Sequence, residues 1–199
     1  MTQYNPDHIA YRAGETPPRL ILPFMGGFYR GFAEPLAFAG LRVLVGLLLV
    51  VEGWPKIQDP YGMAGFTEML GMYPGWFWSA LLAVMQFGGG ILLILGLLTR
   101  PVALANGVML LVTLWFHMTH PYGDVALTQA GIEAAQAAGQ ALFTPDGVRN
   151  LTPDGGAMFL HQVQSKAEGF SALWSAAALF FAAFGGGRFS LDRLLGREF

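Results

Sequence analysis

The chain has no cysteine. Disulfides, thiolate metal sites, Cys-based redox chemistry and iron–sulfur clusters are therefore all excluded. Charge is scarce as well: 12% of residues are charged, where soluble domains carry roughly 25%. The formal net charge is −2 and no basic stripe runs along the chain, so nothing offers a footprint for nucleic acid. No nucleophile–base pair of recognisable spacing and no nucleotide-binding loop is present, which leaves no catalytic residue to nominate. Any redox role has to use a diffusible cofactor, a partner-borne one, or histidine ligation.

What is plentiful is apolar length. Hydrophobic residues make up 54% of the 199 and the mean hydropathy is +0.47. The stretch from Trp76 to His120 holds two such runs: Leu81 to Leu98 without an ionisable side chain, then a break at Thr99-Arg100-Pro101, then a second run to Phe116. At about 1.5 Å of rise per helical residue, each arm spans about 30 Å, the thickness of a bilayer's hydrocarbon core. Arg100 marks the water boundary and Pro101 suits a first helical turn. The reading is a transmembrane hairpin.

The same argument along the rest of the chain predicts an all-α polytopic membrane protein, a bundle of four transmembrane helices with short interfacial helices. The expected spans are about 35–54, 76–98, 101–120 and 167–184. Residues 1–34 read as a polar leader followed by a short apolar interfacial segment, Leu20 to Phe28, too broken to span. They lack the pattern of a cleavable signal peptide. Residues 35–199 are then one membrane domain, with an outer loop at 121–166. That loop holds an Ala-rich piece, Leu127 to Leu142, and two copies of Thr-Pro-Asp-Gly, at Thr144 and Thr152, which is strong turn chemistry. Calcium ligation by Asp146, Asn150 and Asp154 falls short in ligand count.

Arginine and lysine set the orientation. With four spans both termini share one side, which holds Arg12, Arg19, Arg30, Arg42, Arg100, Arg188, Arg193 and Arg197, against Lys56, Arg149 and Lys166 on the other. Both termini are expected in the cytoplasm of a bacterial cell.

That topology gathers ionisable groups at the outer ends of the spans. Glu52 and Lys56 close the first, His117 and His120 close the third, and Glu168 opens the fourth, with His161 two turns earlier if that helix extends back. Ionisable groups at a membrane edge are costly and point to function when they converge. Three readings compete. The cluster could hold a quinone headgroup, with histidine bonding a carbonyl oxygen and glutamate exchanging protons with the aqueous phase. His117 and His120, one turn apart, could bind a metal with Glu168 or Glu52. Or these are solvated interfacial residues with no ligand. Structural roles are expected for Gln86, a buried amide suited to bonding across helices, and for Arg100. A third falls to Arg42, which either snorkels to the headgroups or is held by Asn106 or a backbone carbonyl.

Several pieces resemble the DoxX family of small four-helix membrane proteins. They are Leu41-Arg-Val-Leu-Val-Gly46 with Glu52-Gly-Trp-Pro-Lys-Ile57, Gly65-Phe-Thr-Glu-Met-Leu-Gly71, the hairpin Gly88 to Pro101, and Gly187-Arg-Phe-Ser-Leu-Asp192 with Leu194-Leu195. The resemblance implies a four-helix bundle in the cytoplasmic membrane, and the family includes a subunit of thiosulfate:quinone oxidoreductase. It places Gln86 where the family often carries a glutamate ahead of the small-residue run. The expectation is a membrane subunit of a quinone-linked electron-transfer assembly, in contact with lipid and with a larger hetero-oligomeric complex. The alternative is a non-catalytic accessory subunit that stabilises a respiratory or photosynthetic complex. A small-solute transporter fits less well, since no paired broken helices occur in matching halves.

Overall fold

The long apolar runs become helices whose side chains stay largely uncovered by protein. The computed structural model describes residues 22–121, 133, 146 and 157–196. Among these residues there is helix and turn and no strand. A 3₁₀ turn at Pro23–Met25 leads into α1 (Gly26–Gln58), which contains a π-helical stretch at Tyr29–Ala33. Then come the short α2 (Ala64–Met69), α3 (Gly75–Leu95), α4 (Thr99–Thr119), α5 (Ala157–Phe184) and the single turn α6 (Leu191–Leu194). Helices α1, α3, α4 and α5 are each long and apolar enough to cross a membrane. Leu44, Val84, Val108 and Leu173, well inside their helices, are all exposed, which in water would be an unmanageable apolar surface and in lipid is the normal outer face.

The ends of the spans shift from expectation. The first helix begins nine residues before Pro35, so the end of the apolar patch, Gly26–Phe28, belongs to the helix, with a 3₁₀ turn at Pro23–Met25 just ahead of it. Pro55 neither ends it nor stops the chain from reaching Gln58. In the turn that Pro55 loosens, the Lys56 ammonium donates to the Glu52 carbonyl oxygen at 2.9 Å. The fourth helix starts at Ala157, ten residues earlier than its apolar core suggests. Of the outer connection, the Ala-rich piece and the two Thr-Pro-Asp-Gly copies lie outside the described residues, apart from Glu133 and Asp146.

The chain divides into two compact units, one formed by the residues up to Val108 together with Ser175 onward, the other by Met109–Trp174. Helices α4 and α5 contribute to both.

In the first unit, α1 and α3 pack through glycine. A Cβ on Gly46 would sit 2.7 Å from the Gly90 carbonyl oxygen, and one on Gly90 would sit 2.7 Å from that of Gly46. Farther along, a Cβ on Gly53 would lie 2.5 Å from the Phe87 amide nitrogen. Without a hydrophobic drive between helices in lipid, this closeness is what brings van der Waals contact and holds the pair. The run Gly88-Gly89-Gly90 is used unequally. Gly90 faces α1 and Gly89 faces Asn106, while Gly88 meets little but its own helix. Val45, Leu49, Ala83, Leu93, Ala103, Ala178 and Phe181 form the buried apolar set of this unit.

The loop between α1 and α3 is stitched to the start of α3. Ser79 Oγ donates to the Pro60 carbonyl at 2.6 Å, Thr67 Oγ1 donates to that of Gly75 at 3.1 Å, and the Gly75 amide donates to Glu68 Oε1 at 3.0 Å. Glu68 therefore answers one of the unpaired amides that open a helix, where a negative charge is also favoured.

Candidate functional site

Two polar groupings stand out, one in each unit. The first begins at the hairpin turn. Helix α3 ends in a Schellman motif: Gly96 takes the left-handed conformation (φ +68°), its amide donates to the Leu93 carbonyl, and Leu97 donates to that of Leu92. The break is thus Gly96 to Leu98, and Thr99, Arg100 and Pro101 already lie in the first turn of α4. There Pro101 is tolerated because its missing N–H has no partner to lose.

The start of α4 is capped from far along the chain. Asp192 accepts from the Leu98 amide at 2.8 Å through one carboxylate oxygen and from the Thr99 amide at 2.9 Å through the other. The Asp192 amide in turn donates to the Gly96 carbonyl at 2.9 Å. Arg42 lies beside it, only 3% exposed. Its guanidinium donates to the carbonyl oxygens of Gly186, Phe189 (2.6 Å) and Ile94 (3.4 Å). Two segments distant in sequence, the end of α3 and the chain after α5, are thereby tied to one fork of donors.

Arg42 does not snorkel, because the glycine run after α5 and the end of α3 supply carbonyls within its reach. Asn106 does not hold it either: the Asn106 amide donates to Val102 of its own helix, and its Oδ1 meets no donor among the described residues. Gln86 is likewise buried, and its Oε1 is also without a described donor. Arg100 lies across Gly185, where a Cβ would come within 3.2 Å of its Nε.

The second grouping joins α4 to α5. Gln164 Nε2 donates at 2.6 Å to the His117 carbonyl oxygen and at 2.6 Å to Glu168 Oε1. One amide nitrogen, two hydrogens, two acceptors: both of its donors are in use. His117 and Glu168 are half-buried, and Gln164 links the Glu168 carboxylate to the main chain at His117. His120 is exposed. Its ring stacks on Phe116 at 4.7 Å and its Nδ1 lies 2.9 Å from Thr119 Oγ1. His161 is on α5 and exposed.

Glu52 and Lys56 belong to the first unit and pair with each other, Nζ to Oε2 at 3.8 Å. Among the described residues no three His, Asp or Glu side chains are grouped so as to hold a metal ion.

Sequence reasoning passed over Gln164 and gave Asp192 no role. The first was findable: once α5 is extended back, Gln164 and Glu168 stand four apart on one helical face. Asp192 pairs with backbone amides more than ninety residues away, and no local pattern announces that. Its neighbour Ser190 does carry a signal, since it accepts from the Arg193 amide as an N-cap.

Four long apolar helices with glycine-mediated packing define a helical protein that crosses the membrane several times. The DoxX family model matches residues 37–119, most of the first span and all of the next two. The inner membrane protein YqjF of Escherichia coli (strain K12) is 29% identical over 158 residues, which cover 79% of this chain and 90% of that one. No solved structure matches.

Proposed function

We propose that this protein is an integral membrane subunit of a quinone-linked electron-transfer assembly in the bacterial inner membrane, with a quinone headgroup received beside His117 and Glu168. The observation that carries this reading is the Gln164 bridge. It fixes a half-buried carboxylate beside the end of a span that carries a half-buried imidazole. An imidazole there is suited to bond a carbonyl oxygen, and a carboxylate to take or release a proton. A quinone, when bound, supplies the two-electron and two-proton capacity that no side chain of this cysteine-free chain has. Gln164 keeps Glu168 oriented through one oxygen and leaves the other to a ligand or to water. The inner-membrane assignment draws on the relative named above. Both termini on the cytoplasmic side is the orientation favoured by the arginine bias.

The test is the quinone that stays with the purified protein. Extracted into mild detergent, the full chain should retain ubiquinone or menaquinone. The His117→Ala and Glu168→Gln variants should each retain several-fold less, in keeping with the loss of a hydrogen bond of about 1 kcal/mol or more. Retention that is absent in the parent, or equal in all three, refutes the site.

A second reading has its own observation. Helix α1 is 33 residues long, about 50 Å at helical rise against a core of about 30 Å. Near its start Phe28 and Phe32 are exposed, as is Phe24 just ahead of it. An overhang of this kind suits docking on a larger membrane complex, as an accessory subunit would. Migration only within a large assembly on native gels, with quinone turnover indifferent to the two substitutions, selects that reading.

A further inference from the structure

The chain after α5 turns its polar groups inward and leaves a distinctive remainder outside. Between Gly185 and Gly196 the only acidic residue is Asp192. It is 4% exposed and both its oxygens accept from backbone amides. Ser190 Oγ donates to the Gly187 carbonyl and accepts from the Arg193 amide. The carbonyls of Gly186 and Phe189 are taken by Arg42. What faces outward is of two kinds. Arg188 and Arg193 are exposed and have no acidic partner among the described residues. Phe189, Leu194 and Leu195 are 56%, 80% and 60% exposed.

Two uncompensated guanidinium groups and three large apolar side chains within eight residues do not suit water. They suit a boundary where acyl chains end and phosphates begin. The segment follows a span directly and is pinned to the α3–α4 turn by the Asp192 amide, so it is held at the level where the spans end. The shallow depression between Arg100, the glycine run and Arg193 has room for about one water, too small to swallow a headgroup. Recognition is therefore at the rim, by charge, and arginine favours phosphate for its paired N–H geometry.

We infer that residues 185–195 form a seat for anionic phospholipid, with Arg188 and Arg193 on the headgroup phosphate and Phe189, Leu194 and Leu195 entering the acyl boundary. A zwitterionic headgroup brings its own cation and is held less well. The inference is independent of the quinone reading.

The test uses the full chain in mild detergent, offered phosphatidylglycerol or phosphatidylcholine in mixed micelles at equal concentration and read by native mass spectrometry. Phosphatidylglycerol should be retained roughly tenfold over phosphatidylcholine, as two arginines near an anionic surface imply. The double variant Arg188→Gln/Arg193→Gln should lose that preference with unchanged helix content, and Arg188→Lys/Arg193→Lys should keep most of it. Should the glutamine variant misfold, the parent carries the test through excess inorganic phosphate, which should not displace the lipid. Equal retention of the two lipids overturns the proposal. So does an undiminished preference in the glutamine variant. Displacement by free phosphate, or replacement of lipid by a stoichiometric acidic protein, overturns it as well.

Discussion

The Arg42–Asp192 grouping and the His117–Glu168 grouping differ in what their charges touch. In the first, both charged side chains are almost wholly buried and their hydrogen bonds go to main chain: three carbonyls for the guanidinium, two amides for the carboxylate. In the second, the half-buried Glu168 carboxylate is held by a side-chain amide that also reaches the His117 carbonyl, and the exposed His120 ring lies on a ring stack. Main-chain partners cannot be exchanged without moving helices, so the first grouping fixes the fold. Side-chain partners at a half-open edge can be traded for a ligand's atoms, so the second is where chemistry has room.

The sharpest way to break this comparison is Arg42→Leu. It strips three carbonyls of their donor and leaves Asp192 buried without its counter-charge, a loss on the order of 3–5 kcal/mol. Thermal unfolding in detergent should show a large fall or no folded protein. Arg42→Lys should rescue only part, since a single ammonium cannot reproduce the planar fork. Next comes Gly90→Val, whose side chain would strike the α1 backbone at Gly46. A cost of about 1–3 kcal/mol follows from overpacking, while Gly88→Ala should be nearly silent in the same assay. Asp192→Asn keeps one acceptor and loses the charge at the start of α4, about 1–2 kcal/mol by the usual worth of a cap. In the other grouping Gln164→Leu should lower stability by only about 1 kcal/mol. Yet it should reduce quinone retention as much as Glu168→Gln does, a split that the first grouping never shows. Smallest is Glu52→Ala, which opens a partly exposed pair with Lys56 and should stay within about 0.5 kcal/mol. A large effect there, or a small one at Arg42, reverses the contrast.

The four spans were legible because lipid imposes one rule on every residue of a run: no unpaired polar group and no charge at the centre. The ends were less so. Residues 157–166 are polar enough to read as loop, yet they belong to α5, because helical propensity and contacts within the second unit carry the helix past its apolar part. Arg42 illustrates the harder limit. Its position near one end of a span fits snorkelling as well as burial, and the choice depends on carbonyls 52, 144 and 147 residues away. The Gly88–Gly90 run is plain in the sequence, but only the three-dimensional register shows that Gly90 is the one in close contact with Gly46. Glu68 is the acceptor for the Gly75 amide, a role set by the loop's return onto α3 and not by any local pattern.

The Asp192 cap bears on how the protein is made. The amides of Leu98 and Thr99 leave the ribosome well before the carboxylate that completes them, 94 and 93 residues later. Until the last span has been threaded and its tail has swung back, the early hairpin carries two naked donors at its bend. A chain cut short ahead of Asp192 would keep that flaw permanently.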